Sequence, residues 1–450
     1  MTLTLGCTAR RGARLAVCAL ALGVPAAAQD LSPRAELFAH SEEFRREVIR
    51  VTDGVYVAVG FALGNAILVE GDDGVVIIDT TEGTDAARDI KAEFDRITTK
   101  PVRAVVYTHS HPDHIRGTSV FVGDADAEIY VHESFLPENR PTQVGRSARG
   151  GGNQFGGALP DELRPNAGIG PRLVLGGENG YMEPTVAFPG ERYAFEVAGM
   201  RVELVHAPGE TDDQIYVWLP ERRILFPGDN FYRAFPNLYA IRGVPLRRVD
   251  WWVESLAKMI AEDPEYLVPS HTRPVVGNDA VRSALQAYHD GVKSVLDQTI
   301  AGMNRGLRPD ELAASVRLPE ELAQNPYLRE FYGTVEWSVR TIYSYHLGWF
   351  DGNATNLFPL ADSERARRMV ELTGGIAPLL SVGRAALASE DFQWAAEVAD
   401  YVLFVEEDNR EAFSLKADAL EAFGEQQISA NARNWYLTSV QWLRQQAEDR

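Results

Sequence analysis

Three histidines and an aspartate fall within six residues: His109, His111, Asp113 and His114, in Thr108-His109-Ser110-His111-Pro112-Asp113-His114. They directly follow Val102–Tyr107, an apolar run that reads as a buried strand. So many lone-pair donors are costly in a core and natural for a metal. The chain must therefore contain a sheet whose strand end delivers this loop. On it His109 and His111 can converge on one ion, while Asp113 and His114 face a second. Phe226-Pro227-Gly228-Asp229 ends another strand and places a carboxylate where it can bridge two ions. His271, in Pro269-Ser270-His271, follows the short apolar run Tyr266–Val268. Imidazole and carboxylate without thiolate favour zinc over manganese or iron. Hydrolases with two metals hold them ~3.5–4 Å apart.

The rest of the chain supplies the sheets. Glu47–Val51, Val55–Val59, Ala66–Glu70 and Val75–Asp79 read as strands, with hairpin turns at Asp53-Gly54 and Asp72-Asp73-Gly74. Ala86–Ile97 has helical spacing. Glu128–Val131, Met200–Val205, Ile215–Leu219 and Ile224–Phe226 read as further strands. Strands mixed with helices in this way predict two sheets covered by helices. Residues 144–190, rich in glycine, proline and asparagine, read as a long functional or disordered loop. From Asn278 the pattern turns helical, with Val281, Leu285, Tyr288, Val292, Val295, Leu296, Ile300 and Met303 on one stripe. Residues 363–446 read as helix pairs, and Ala385–Phe423 has the look of a single tetratricopeptide-type unit.

Composition narrows the partners. The formal charge is -20, which argues against nucleic acid and anionic membrane. An anionic substrate then needs local positive charge. No apolar run reaches the ~20 residues of a membrane span, so stable membrane insertion is not expected. Residues 1–28 have the layout of a signal peptide: Arg10, Arg11 and Arg14, then Leu15–Val24, then Ala26-Ala27-Ala28 before Gln29. The mature protein is expected in the periplasm or outside the cell. Both cysteines, Cys7 and Cys18, lie in that leader, so a cysteine-free mature chain and no thiolate ligands are expected.

The order HxHxDH, Pro-Gly, Gly-Asp, late His resembles the ligand order of the metallo-β-lactamase superfamily. Most members carry His after Pro-Gly; here Pro208-Gly209 is followed by Glu210, which resembles the alkylsulfatase branch. The blocks Glu47–Gly60, Asn237–Gly243 and Leu347–Asn353 are similar to that branch as well. The resemblance implies an α+β chain. A signal peptide (1–28) precedes a metallo-β-lactamase αββα sandwich (29–285), and an all-α helical dimerisation domain (286–450) follows it. It implies two zinc ions per subunit, one held by His109, His111 and Glu210, the other by Asp113, His114 and His271. Asp229 stands where the family uses a bridging glutamate. Asp113 is also expected to hold the attacking water. Arg242 matches the family's sulfate-binding arginine, with Tyr239 beside it. Phe155 is an expected substrate contact in Gln154-Phe155-Gly156-Gly157, where Gly157 falls at the position of a family amide side chain. Larger relatives continue into a sterol-carrier-like domain, so the chain reads as a short form. The helical region implies a homodimer.

Among the other residues, His206 and His132 read as strand-end polar groups or as supports for a ligand. His40, His289 and His346 read as structural. Phe231, Tyr232, Phe235 and Tyr239 are either core aromatics or the walls of an apolar slot, and at least one of Trp251 and Trp252 is expected in the core. The expected activity is zinc-dependent hydrolysis of sulfate esters, above all alkyl sulfates. Two rivals stand beside it: a superfamily hydrolase of another ester, a lactone or a β-lactam, and a helical interaction protein with an inert metal domain.

Overall fold

The computed structural model describes residues 32–135, 148–173 and 176–449. The expected signal peptide lies outside them. β-Branched runs bounded by turns build a seven-stranded sheet in chain order: β1 (Glu47–Thr52), β2 (Val55–Val59), β3 (Ala66–Glu70), β4 (Val75–Ile78), β5 (Val102–Val106), β6 (Glu128–His132) and β7 (Val186–Phe188). The first four strands are antiparallel hairpin neighbours, and β4 to β7 run parallel. A six-stranded sheet has the order β13-β12-β11-β10-β9-β8, from β8 (Arg192–Val197), β9 (Met200–His206), β10 (Ile215–Leu219), β11 (Ile224–Phe226), β12 (Tyr266–Leu267) and β13 (Val275–Val276).

Alternation decides how the layers stack. Val55, Val57, Val59, Ile67 and Val69 of the first sheet share one core with Val202, Leu204, Ile215, Val217 and Phe226 of the second. Side chains between them, such as Ala58, Leu68 and Ile77, point the other way and pack on Ile90 and Phe94 of the helix Thr84–Ile97. Tyr216, Trp218 and Leu225 of the second sheet cover Trp252, Leu256 and the buried stripe of the helix Asn278–Asn304. The result is the expected αββα sandwich, followed by a helical region with its own core, to which Leu379, Val398, Phe413, Leu415 and Leu443 contribute.

The expected domain division at 285/286 falls inside the continuous helix Asn278–Asn304. That helix packs on the sandwich helix Val249–Ala261 and, through the same core, on Val335, Val339 and Ile342 of the helix Val335–Leu347. The strand β8 goes unrecognised in the sequence although its residues alternate between exposed and half-buried. The region 144–190 carries more structure than a bare loop: the helix Ala148–Gln154 and the strand β7. Among the described residues no helix is long and apolar enough to cross a membrane.

Candidate metal centre

β5 ends at Val106, and the chain turns at once into the loop that carries the histidines. β4, its parallel neighbour, ends level with it, Ile78 paired with Val106, and delivers Asp79 in the left-handed region, φ 57°. The buried Asp79 carboxylate organises the whole loop. Oδ1 accepts from the Thr108 amide at 2.9 Å. Oδ2 accepts from Thr108 Oγ1 at 2.9 Å, His114 Nδ1 at 2.8 Å and Ser270 Oγ at 2.6 Å. This one residue thus fixes His114 directly, His109 through Thr108, and the residue before His271.

These bonds also set the tautomers. Thr108 has one hydroxyl proton, and it goes to Asp79. The 3.0 Å contact between Thr108 Oγ1 and His109 Nδ1 is therefore a donation from the ring. His271 Nδ1 faces the Leu63 carbonyl at 2.8 Å, and a carbonyl only accepts. In His109, His114 and His271 alike, Nδ1 bears the proton and Nε2 presents its lone pair, as metal-binding imidazoles do. Leu63 is itself held by Glu82, whose two oxygens accept from its amide at 2.9 and 3.0 Å. Burial pushes the Glu82 carboxyl up to about 7.

The three lone pairs meet at Asp229. Its Oδ2 lies 3.2 Å from His271 Nε2, 3.4 Å from His114 Nε2 and 3.7 Å from His109 Nε2. Asp113 Oδ2 completes the second side, 3.6 Å from His271 Nε2 and 3.7 Å from His114 Nε2. On the first side His109 Nε2 approaches His111 Nδ1 to 2.9 Å, and nitrogens that close need a proton or a cation between them. Two triads emerge, His109–His111–Asp229 and Asp113–His114–His271, each with donor atoms within 4.8 Å of one another. His114 Nε2 and Asp229 Oδ1 are buried without a hydrogen-bond partner. A buried lone pair and a buried carboxylate oxygen left in this way suit a divalent cation. The electrostatics agree. Burial opposes charge on Asp229, but His271, His114 and His109 hold its carboxyl well below the usual range. Burial likewise opposes charge on His114, but Asp229, Asp79 and Asp113 raise it well above its ordinary value, so that a proton takes the Nε2 lone pair where no cation does.

Glu210 reaches the same site by a different route. Pro208-Gly209 turns the chain out of β9, and a Cβ on Gly209 would collide with Asn230. Asn230 Oδ1 accepts from the Glu210 amide at 3.0 Å, and its Nδ2 donates to the Ala207 carbonyl at 2.6 Å. Gly228, φ 58°, leaves no room for a Cβ against Gln214. Glu210 Oε1 stands 3.6 Å from His111 Nδ1. Both its oxygens accept from Arg247, at 2.6 and 2.5 Å, in a fork-to-fork pair that is almost fully buried. Burial pushes the Glu210 carboxyl up to about 7, against the pull of Arg247. Arg242 Nη2 lies 3.4 Å from His111 Nε2, so two guanidinium groups flank the His111–Glu210 side.

All seven expected ligands, His109, His111, Asp113, His114, Glu210, Asp229 and His271, stand together, with Arg242 beside His111. Tyr239 is half-buried in the same loop. Phe155 packs against the cluster of Leu63, Tyr232, Phe331 and Tyr332. Gly157 is exposed; the amide that touches Arg242 is Gln154 instead, whose Oε1 accepts from the Arg242 amide at 3.1 Å. Phe231, Phe235 and Trp252 are core residues, so the first two wall no slot. Tyr232 is buried edge-on to His271, ring centroids 6.1 Å apart. His132 and His206 stack on each other at 3.7 Å and bond to Gly190 and Asp212 carbonyls, away from the cluster. Asp79 and Arg247 escape the sequence reading. The visible signal for Asp79 is an acid at the end of the strand that precedes the helix before β5.

A family model of the metallo-beta-lactamase superfamily matches residues 59–271, and one of alkyl sulfatase dimerisation matches residues 308–446. A linear primary-alkylsulfatase from Pseudomonas sp. is 39% identical over 389 residues, 84% of this chain and 73% of that protein. An (R)-specific secondary-alkylsulfatase from Pseudomonas sp. is 31% identical over 415 residues, 88% of this chain and 62% of that one. The solved structure of a stereoselective inverting sec-alkylsulfatase from Pseudomonas sp. superposes with a TM-score of 0.86 at 29% identity, covering 91% of this chain and 67% of that chain. The chain thus spans roughly two thirds of the length of these relatives. The similarity runs through sandwich and helical region alike, and the chain belongs to the alkylsulfatase branch of the metallo-β-lactamase superfamily.

Proposed function

We propose that this protein hydrolyses sulfate monoesters, above all alkyl sulfates, with two zinc ions per subunit. One ion would be held by His109, His111 and Glu210, the other by Asp113, His114 and His271, with Asp229 shared. Bound there, the ions supply Lewis acidity and make a water nucleophile available at neutral pH. The protein's own groups do the rest. Asp79 and Leu63 keep the imidazole lone pairs pointed inward. Asp113, whose side chain is 16% exposed where its neighbours are closed off, faces entering water and can take its proton.

The observation that carries the choice of substrate is Arg242, whose Nη2 lies 3.4 Å from His111 Nε2. Three carboxylates leave two zinc ions with a single net positive charge, a weak lure for an anion. Arg247 offsets Glu210, and the Arg242 guanidinium beside His111 adds a further positive charge. A neutral ester or lactone has no use for that second guanidinium; a sulfate monoester, singly charged with three acceptor oxygens, has. The test is turnover of a short alkyl sulfate beside a lactone and a β-lactam panel. Only the sulfate is expected to be cleaved, and cleavage of the panel alone overturns the proposal. Arg242→Ala is expected to raise KM for the sulfate about 10- to 100-fold, the worth of hydrogen bonds to a charged group, with bound metal unchanged.

The proposal extends to a homodimer. Leu347, Trp349 and Phe358, at 54, 74 and 94% exposure, lie within the stretch matched as alkyl sulfatase dimerisation. Large apolar side chains left this exposed suit a surface that a partner covers. Sedimentation is expected to give a dimer at micromolar concentration, and Trp349→Glu with Phe358→Glu a monomer. A monomeric parent protein sinks this part. Residues 1–28 are proposed as an export leader cleaved before Gln29, placing the mature protein in the periplasm or outside the cell.

A further inference from the structure

We infer that Asn434, on the last helix, is a positioning residue that sets Arg242 for an anionic substrate through Gln154. The inference rests on the sulfatase reading for the substrate's charge, but its geometry is independent of it. The helix Ala430–Asp449 belongs to the helical region, yet it packs against the short helix Ala148–Gln154 of the sandwich. Asn434 Nδ2 donates to the Gln154 carbonyl at 3.1 Å. Gln154 ends the short helix Ala148–Gln154, and its side-chain Oε1 accepts from the Arg242 amide at 3.1 Å. Arg242 in turn brings Nη2 within 3.4 Å of His111 Nε2. Three elements far apart in sequence are linked in one line that ends at a metal-binding imidazole.

Packing makes that line stiff. Gln154 and Asn434 are essentially inaccessible to solvent. A Cβ on Gly150 would collide with the Arg242 carbonyl, and one on Gly156 would press on the Asn434 side chain at 3.0 Å. The neighbouring residues pin the same helix end. Ala430 donates its amide to the Phe331 carbonyl at 2.8 Å, while Ser429 Oγ and Asn431 Nδ2 donate to the Tyr332 carbonyl at 3.0 and 3.2 Å. Asparagine is a poor helix former, and a buried amide without partners is costly. Two buried asparagines in one helix start, whose Nδ2 groups both donate to carbonyls outside that helix, are better explained by what they hold than by the helix itself.

Asn434→Ala and, as a second route to the same break, Gln154→Met in the full chain test this. Hydrogen exchange in the peptide spanning residues 237–243 reads the placement of Arg242 with no substrate present. Calorimetry with inorganic sulfate reads its consequence. Both variants are expected to speed that exchange about tenfold and to weaken sulfate binding about tenfold, the effect of one net hydrogen bond. Bound zinc is expected to stay at the parent level. In an Arg242→Ala background, Asn434→Ala is expected to weaken sulfate binding no further, because residues acting through one another are non-additive. Unchanged exchange in both variants overturns the inference. So does a loss of sulfate binding that persists undiminished without Arg242. Faster exchange in a protein whose parent cleaves no sulfate ester supports the positioning line and counts against the sulfatase reading alone.

Discussion

Asp229→Ala is expected to lower kcat/KM for a short alkyl sulfate by at least about a thousandfold, roughly 4 kcal/mol of transition-state stabilisation, and to cut bound zinc from two ions per subunit to one or none. The size of the effect follows from where the carboxylate stands. His271, His114 and His109 all present Nε2 to its Oδ2, at 3.2, 3.4 and 3.7 Å. Removing it takes a shared charge from both triads at once, whereas removing any single histidine strips only one. Asp229→Glu is the informative partner variant. Glutamate is the residue the resemblance implies at this position elsewhere in the family, so this variant is expected to retain both ions and to stay within about tenfold of the parent, the scale of a displaced supporting contact. Elemental analysis of the dialysed variants beside steady-state kinetics checks both halves. An alanine variant that keeps two ions and most of its activity would remove Asp229 from the centre and leave two separate sites.

Much of this arrangement is legible in the sequence because the chemistry is local. His109, His111, Asp113 and His114 lie on one loop after one strand, and Val55–Val59, Ile215–Leu219 and Ile224–Phe226 are strands with the bounds their β-branched runs predict. The stripe from Val281 to Met303 marks one helix from end to end. What is not legible depends on tertiary neighbours. Asp79 looks like the last residue of an ordinary strand, and only the parallel pairing of β4 with β5 puts it under three ligands. Arg247 and Arg248 are chemically identical neighbours. One is buried on Glu210, while the other lies over the Trp251 and Tyr345 rings at 4.1 and 5.1 Å. No local pattern distinguishes them. The boundary between sandwich and helical region has no local mark for a related reason. A change of periodicity marks where helices begin, and the first of them, Asn278–Asn304, shares its core with the sandwich.

The burial of Arg247 leads to the second large effect. Arg247→Met, measured in the metal-free protein at pH 8, is expected to lose about 3–5 kcal/mol of stability, the usual result of stripping one partner from a buried ion pair. That amounts to about 4 °C in Tm for a unit of this size. The cause is Glu210, left as a buried carboxylate with neither water nor a cation. Burial already lifts its pKa from 4.5 to about 7 with the arginine present, and the variant lifts it further. A carboxyl whose folded pKa lies above its unfolded value binds more protons folded than unfolded between the two. Its folded state is therefore favoured at low pH and loses stability as pH rises through that window. The deficit of the variant is expected to be small at pH 5 and largest at pH 8. Zinc provides the decisive comparison. If Glu210 closes the first ion's sphere with His109 and His111, saturating zinc supplies the missing positive charge and is expected to restore most of the lost Tm at pH 8. Glu210→Gln, which removes the charge itself, is expected to show no such rescue beyond what the remaining ligands give the parent. Scanning calorimetry of parent and both variants, with and without zinc, separates the outcomes. A stability loss that zinc leaves untouched makes Glu210 a structural partner of Arg247 rather than a ligand, and the ligand set proposed for the first ion falls with it.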